Sequence, residues 1–505
     1  LDRLPVIDLL VLVGYLMITV GVGCWFGLRN PNTDTFMSGG RSLPGWAVGL
    51  SMFGTYVSSI SFLANPGKSF ASNWNAYVFS LATPIAAIIA VRWFVPFYRG
   101  SGEVSAYEHL ESRFGPWART YAVVCYLLTQ MSRSAAVIYL LALAVSPLTG
   151  WSVTTVILLT GTIMILYSVF GGIEATVWIG VIQSAVLMLG PVICVVVLLG
   201  LMPDGLTGVM QTAAAAEKFS LGSFSASLTE PTFWVVFAYG MTINLGTFAV
   251  DQSFVQRYVS TPNVRQAKRS VWVAALLYVP TAGLFFFIGT ALFALHASRP
   301  ELFPATLDAY GRPDEVFPYF IAHQLPLGMS GLVVAAIFAA SMDSSLSSMA
   351  TLTLSDIYKR YFRPQAGERE SMNVLQVSTV SWGIVATAIA LTMIHSSSAL
   401  DVRWQLAGIF SGGVLGLFLL GLFSRRADNA AAIVATSVGI LVIAWMSLSS
   451  TSFWPAVLRD LRSPFHGFLV IVVGTLTILV VGIMLGLLRQ KPVPHDSGIG
   501  SGSAS

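Results

Sequence analysis

Between Val6 and Leu488 the chain repeats one pattern: an apolar run of about twenty or more residues, a short polar or basic break, then another apolar run. As helices, such runs each cross roughly 30 Å of hydrocarbon. With 55% hydrophobic and 10% charged residues in a chain of 505, no water-soluble domain fits. The class is an all-α polytopic membrane protein. About thirteen spans are expected, at roughly 6–28, 43–70, 73–98, 118–148, 151–170, 176–203, 233–258, 270–297, 317–355, 373–395, 401–423, 430–449 and 466–487. The first run is too long for a signal-peptide core and lacks a cleavage pattern, so it is expected to remain as a helix. Residues 1–490 then form one transmembrane domain, and the Gly/Ser-rich tail 491–505 is expected to be disordered. Cys24, Cys125 and Cys194 lie inside apolar runs without metal or disulfide spacing and read as packing residues.

An odd number of spans puts the termini on opposite sides, and Lys and Arg decide which is which. With the N-terminus outside, the inner loops collect Arg41, Arg99, Arg113, Arg257, Lys268, Lys359 and Arg425 among others, whereas the outer loops hold few, such as Lys218, Arg299 and Arg312. The expected orientation is N-terminus out, C-terminus in. The formal net charge of +4 is then a topology signal and calls for no nucleic-acid partner.

Two spans look interrupted. The second carries Gly54, Ser58, Ser59, Ser61, Asn65, Pro66 and Gly67; the seventh carries Gly240, Thr242, Asn244, Gly246 and Thr247 near its middle. Broken helices at matching places in two halves are where transporters bind substrate and ions. Five spans separate the pair, which predicts repeats at about 43–203 and 233–423 with one helix before and two after. Gly, Ser and Thr also simply permit close helix packing, the plainer account of either span alone.

The ninth span holds a polar island, Ser341-Met342-Asp343-Ser344-Ser345-Leu346-Ser347-Ser348. An ionisable group in hydrocarbon costs about 2.5 to 3.5 kcal/mol on insertion scales, so Asp343 is not expected to face lipid. Ala340, Asp343, Ser344 and Ser347 share one helix side, with Ser341, Ser345 and Ser348 beside them. Carboxylate and hydroxyl oxygens suit a hard cation, and Na+ fits best. Each serine taken singly is as well explained by bonding back to the preceding turn. Arg133 is the other mid-span charge. A guanidinium in a midplane cavity suits bidentate capture of a substrate carboxylate; the alternative is an ion pair with Asp343 or Asp251. Asp8, Arg92 and Asp251 lie nearer span ends and are assigned helix-end structural roles.

Four stretches in order resemble the sodium:solute symporter family: Phe36 to Trp46, Gly171 to Trp178, Val255-Gln256-Arg257-Tyr258, and Leu346 to Thr353 followed by Asp356-Ile357-Tyr358-Lys359. The resemblance implies a leucine-transporter-type five-plus-five inverted repeat. Ser59-Ile60-Ser61-Phe62, Lys68 and Trp74, with Arg133, look most like the bacterial sialic acid branch. Carried over residue by residue, the family's main sodium site falls on the carbonyls of Gly54, Val57 and Ile337 and the hydroxyl of Ser341, while Ala340 stands where a second hydroxyl is usual. A further sodium site of some members uses an aspartate where this chain has Gly180; here Asp343, with Ser344, stands at the serine side of that cavity. The resemblance further implies Ser58, Ser61, Ser80 and Arg133 for substrate, with Ser80 replacing a larger amide.

The expected function is a secondary symporter, not an enzyme, that uses the Na+ gradient to import a small carboxylated sugar, sialic acid first, across a bacterial inner membrane. Na+ is the coupling ion, the lipid bilayer is the setting, and no obligate protein partner is inferred. The nearest alternatives change substrate or ion: a neutral sugar, a monocarboxylate, or H+ coupling through Asp343. A transporter-like sensor or channel is more remote, since no soluble signalling domain is present, and neither a zinc-protease motif nor a nucleophile elbow occurs.

Overall fold

The computed structural model describes residues 5–27, 32–102, 104–304, 308–341, 345–395, 413–451 and 454–488; Asp343, Ser344 and the expected tail lie outside them. The described residues are helical, without a β-strand among them. The helices are α1 (Val6–Gly27), α2 (Gly45–Tyr56), α3 (Ser59–Ala71), α4 (Trp74–Ser101), α5 (Pro116–Thr149), α6 (Val153–Val169), α7 (Gly171–Leu201), α8 (Phe233–Ala249), α9 (Gln252–Val259) and α10 (Val264–Ser298). After them come α11 (Met329–Ser341), α12 (Ser345–Leu352), α13 (Glu368–Thr392), α14 (Gly413–Phe423), α15 (Asn429–Ser449) and α16 (Leu469–Leu488). Among the described residues nine helices are long and apolar enough to cross a membrane, and the bent pairs α2–α3 and α8–α9 bring this to eleven. The shorter apolar helices α6 and α14 stand where the fifth and eleventh spans are expected. The outermost helices turn large apolar side chains outward, Leu10 and Met17 on α1 and Leu476 and Met484 on α16, as hydrocarbon requires.

Local chemistry sets the helix starts. Asn263 accepts from the Gln266 N–H at 3.0 Å to start α10, and Asp428 accepts from the Ala431 N–H at 2.8 Å to start α15. Between α6 and α7 the chain turns at Gly172, whose φ of 55° is costly for a side-chain-bearing residue. A Cβ there would also lie 2.7 Å from the Phe36 carbonyl oxygen. Asp8, expected to be structural, is buried and accepts from the N–H groups of Gly328 at 2.9 Å and Gly331 at 2.6 Å, so α1 caps the start of α11.

The four motif stretches meet at one junction. Gln256 Nε2 donates to the Met37 carbonyl at 2.7 Å and to Thr351 Oγ1 at 3.0 Å, Leu43 N donates to Ser260 O at 3.2 Å, and Thr176 Oγ1 lies 3.4 Å from Ser347 Oγ. Beside it, Arg119 is shared by Asp356 and by Glu111 at 3.1 Å, and Arg360 pairs with Glu111 in turn. The Asp356 side chain is 1% exposed and that of Arg119 11% exposed, so this pair is desolvated.

Removing one partner of a buried pair strands the other charge, at about 3 to 5 kcal/mol. Asp356→Ala should therefore lower the melting temperature of the detergent-purified protein, and Asp356→Asn, which keeps an acceptor, should lower it less. Arg360 holds the Glu111 carboxyl below the usual carboxylate range. Its stabilisation is complete above the unfolded carboxylate pKa and fades as pH falls through the lowered folded value. Melting curves taken from pH 7 down to pH 3 should show that acid loss shrinking in Glu111→Gln.

Candidate functional site

The second span stops being a helix at Val57 and Ser58, whose φ/ψ values are −81°/112° and −102°/167°. The chain bends by 54° and restarts as α3 with Ser58 as N-cap, its Oγ 3.4 Å from the Ser61 N–H. The last-turn carbonyls of α2 thereby lose their intrahelical partners, as the composition of this span predicts. Small residues fix where that turn lies. A Cβ at Gly54 would come 2.8 Å from Ser184 Oγ on α7, and Ser184 Oγ donates to the Leu50 carbonyl at 2.6 Å.

The expected interruption of the seventh span exists but lies elsewhere. Gly240, Thr242, Asn244, Gly246 and Thr247 sit inside the continuous helix α8, and the 48° bend comes at Val250 and Asp251. Gly240 serves close approach, since a Cβ there would be 2.8 Å from Phe79 O, to which Asn244 Nδ2 donates at 3.1 Å. Thr242 and Thr247 bond back to the carbonyls of Ala238 and Ile243. Polar residues that pack or back-bond do not break a helix. Asp251 does mark the break, N-capping α9 by accepting from the Ser253 N–H at 2.8 Å.

Both breaks face one cavity of about 410 Å³, within the range of roughly 300 to 1,000 Å³ typical of small-molecule sites. Ser58, Ser61 and Tyr56 line it from the first break and Thr247, Asp251 and Phe254 from the second, with Gln130 and Arg133 from α5. The Arg133 guanidinium donates to the Thr55 carbonyl at 3.1 Å and forms no ion pair with a described carboxylate, so the alternative of a pair with Asp251 is not realised. Arg133 lines the cavity. Ser80 is buried on α4 against Tyr278 and is not among the residues lining the cavity, whereas Phe79 and Tyr278 are. Gln130 and Asp251 are among the polar lining residues that sequence reasoning passed over as a site; for Asp251, a charge beside a glycine-rich apolar run was the available signal.

The oxygens proposed for Na+ belong to α2 and α11, and α11 packs against both α2 and α3. Ser341 is fully buried and donates to the Ile337 carbonyl at 2.7 Å, which puts two of the four oxygens side by side. That bond is the back-bonding open to any helical serine, and it is also compatible with coordination once the hydroxyl hydrogen turns away. Gly54 and Val57 are buried at the end of α2.

Comparison with known proteins agrees with this fold. Residues 36–439 match the sequence profile of the sodium:solute symporter family. The sodium/sialic acid symporter NanT of Aliivibrio fischeri is 33% identical over 497 residues, covering 97% of this chain and 95% of that protein. The human sodium-coupled monocarboxylate transporter 1 is 26% identical, covering 91% and 76%. A solved structure of a Na+-coupled sialic acid symporter, substrate-bound and outward-open, superposes with a TM-score of 0.86 at 30% identity over 96% of this chain and 98% of that one.

Gly180, where some family members carry an aspartate, is closed by α2. A Cβ at 180 would lie 2.4 Å from Ser51 Oγ and 2.8 Å from Ser51 Cα. The backbone contact cannot be relieved by rotating a side chain. Gly180→Ala should therefore displace α2, costing about 1 to 3 kcal/mol as overpacking does. A lower melting temperature, restored in part by adding Ser51→Gly, checks this.

Proposed function

The chain belongs to the sodium:solute symporter family, and we propose that it couples Na+ entry to import of sialic acid or a closely similar acidic sugar. The carrying observation is Arg133: a guanidinium on the cavity-facing side of α5, tethered by one bond to Thr55 O and free of described carboxylates. A substrate carboxylate would take its remaining donors as a fork. Ser58 and Ser61 offer hydroxyls at the first break, Ser80 supports the wall from behind, and the aromatic lining from Tyr56, Tyr107, Tyr126 and Tyr278 suits a sugar ring that is apolar on its faces and polar at its edge. The relatives named for sialic acid support this reading.

Coupling follows from one turn of backbone. Gly54 and Val57 carbonyls, with Ile337 O and Ser341 Oγ, are the proposed Na+ ligands, and Thr55 between them carries the bond to Arg133. An ion that orders residues 54–57 also sets the guanidinium. By linkage, substrate on Arg133 tightens Na+ by the same factor. Asp343 and Ser344, outside the described residues, are proposed for a second Na+. The orientation is N-terminus out and C-terminus in, in a bacterial inner membrane, as the distribution of Lys and Arg favours.

Proteoliposomes loaded without Na+ should accumulate radiolabelled sialic acid when an inward Na+ gradient is imposed, and a pH gradient alone should not drive uptake. Indifference to Na+ sinks the proposal. Arg133→Ala should raise the sialic acid concentration for half-maximal uptake at least tenfold, as losing charge-assisted hydrogen bonds of about 1.5 to 3 kcal/mol implies. Ser341→Ala should shift half-saturation for Na+ upward, and Asp343→Asn should lower the Na+ Hill slope if it serves a second ion.

A further inference from the structure

Of the three charges assigned helix-end roles, Asp8 and Asp251 have them, at the starts of α11 and α9. Arg92 does not. It lies inside the span α4, short of the helix end at Ser101 by about 13 Å of helix. Arg92 is exposed, and it has no hydrogen bond, ion pair or ring contact among the described residues. Ile85 and Ile88 are exposed at helical spacing before it, so this side of α4 is one that hydrocarbon covers. At Arg92 the helix widens. The Val95 N–H donates to the Ala90 carbonyl, five residues back, which makes a π turn over Ala90–Phe94. Around that turn Arg92 and Trp93 point outward together, while Phe94 and Val95 are buried.

An arginine on a hydrocarbon-covered face is costly unless its head reaches an anion or water. No carboxylate on the adjoining segments offers one: residues 90–102 and 259–276 contain no Asp or Glu. They do contain Arg92, Arg99, Arg265, Lys268 and Arg269. α10 begins in the second segment and packs along α4. Arg99, two turns beyond Arg92, donates to the carbonyls of Val259 at 2.8 Å and Pro262 at 3.1 Å, which ties the chain before α10 to the end of α4. Arg265 and Arg269 are exposed one turn apart at the start of α10. Two acid-free segments thus build a cationic helix-pair end, the inner one in the proposed orientation.

We propose that this end of α4 and α10 binds the headgroup of an anionic phospholipid, with Arg92 taking the phosphate. A guanidinium fork matches two phosphate oxygens. The indole of Trp93 suits the boundary between headgroups and acyl chains. Arg265 and Arg269 add attraction for a lipid of net negative charge, which a zwitterionic lipid does not match. The depth of Arg92 and the apolar stripe of Ile85 and Ile88 beside it favour a headgroup that brings its own acyl chains over a soluble phosphate.

The test adds phosphatidylglycerol or phosphatidylcholine to the detergent-purified full chain and compares wild type with Arg92→Leu, a change that hydrocarbon tolerates. Phosphatidylglycerol should raise the wild-type melting temperature more than phosphatidylcholine does, and Arg92→Leu should lose at least half of that difference. Native mass spectrometry should find one phosphatidylglycerol fewer retained on Arg92→Leu. Equal lipid shifts and equal retention in the two proteins overturn the inference and leave Arg92 reaching water alone. Inorganic phosphate that reproduces the whole phosphatidylglycerol shift overturns the lipid as occupant. A wild-type dimer that Arg92→Leu turns into a monomer, read by light scattering, overturns it as well, because a second copy then covers Arg92. Should Arg92→Leu not purify, Arg92→Gln carries the same comparison.

Discussion

The close seating of α2 on α7 determines where the backbone oxygens of residues 54 to 57 come to rest, and these oxygens organise the site. Gly54 has no side chain to hold Ser184 away, and Gly180 has none to hold Ser51 away. Ser184 reaches across to the Leu50 carbonyl and ties the two helices nearly two turns before α2 ends at Tyr56. With α2 pinned on that side, the chain can leave helical geometry at Val57 without the end of the helix drifting. In a membrane an open backbone carbonyl is tolerable only where a cavity, an ion or a donor can meet it. Arg133 is such a donor at Thr55.

The second break uses a different residue for the same local task. Ser58 and Asp251 both cap a restarting helix, yet a hydroxyl leaves the first break neutral and a carboxylate makes the second anionic. The cavity between them is polar in a directed sense, with Arg133 and the Gln130–Asp251 pair on neighbouring turns. Outside the cavity lining, at the junction where the motif stretches meet, charge is handled in the opposite way: Arg119, Arg360, Glu111 and Asp356 are spent on each other. Paired charge there holds helix ends together, whereas Arg133 lines the cavity without an ion pair to a described carboxylate.

Much of the cavity lining was legible because membranes punish polar groups that lack a purpose. Ser58, Ser61 and Arg133 stand out in apolar surroundings, and all three line the cavity. The same rule misled at Gly240, Thr242, Asn244, Gly246 and Thr247, because glycines can serve close packing and threonine hydroxyls can bond to their own helix. Ser80 is a milder case, a polar residue matched by position whose side chain lies behind the cavity wall. Asp251 was assigned a helix-end structural role and has one, but capping and lining a cavity are compatible, and only the fold shows that the helix end opens into the site.

The sequence by itself determined the membrane class, the approximate spans, the family resemblance and the first break, because hydrocarbon thickness and backbone hydrogen bonding act on residues close together in the chain. Tertiary structure decided what depends on distant segments meeting. It brought Thr55 to Arg133, Gln130 to Asp251 and Ser345, and Ser51 to Gly180, pairs separated by roughly 80 to more than 200 residues. It also moved the second break to Asp251, since whether a glycine loosens a helix or lets a neighbour approach depends on the helix packed against it.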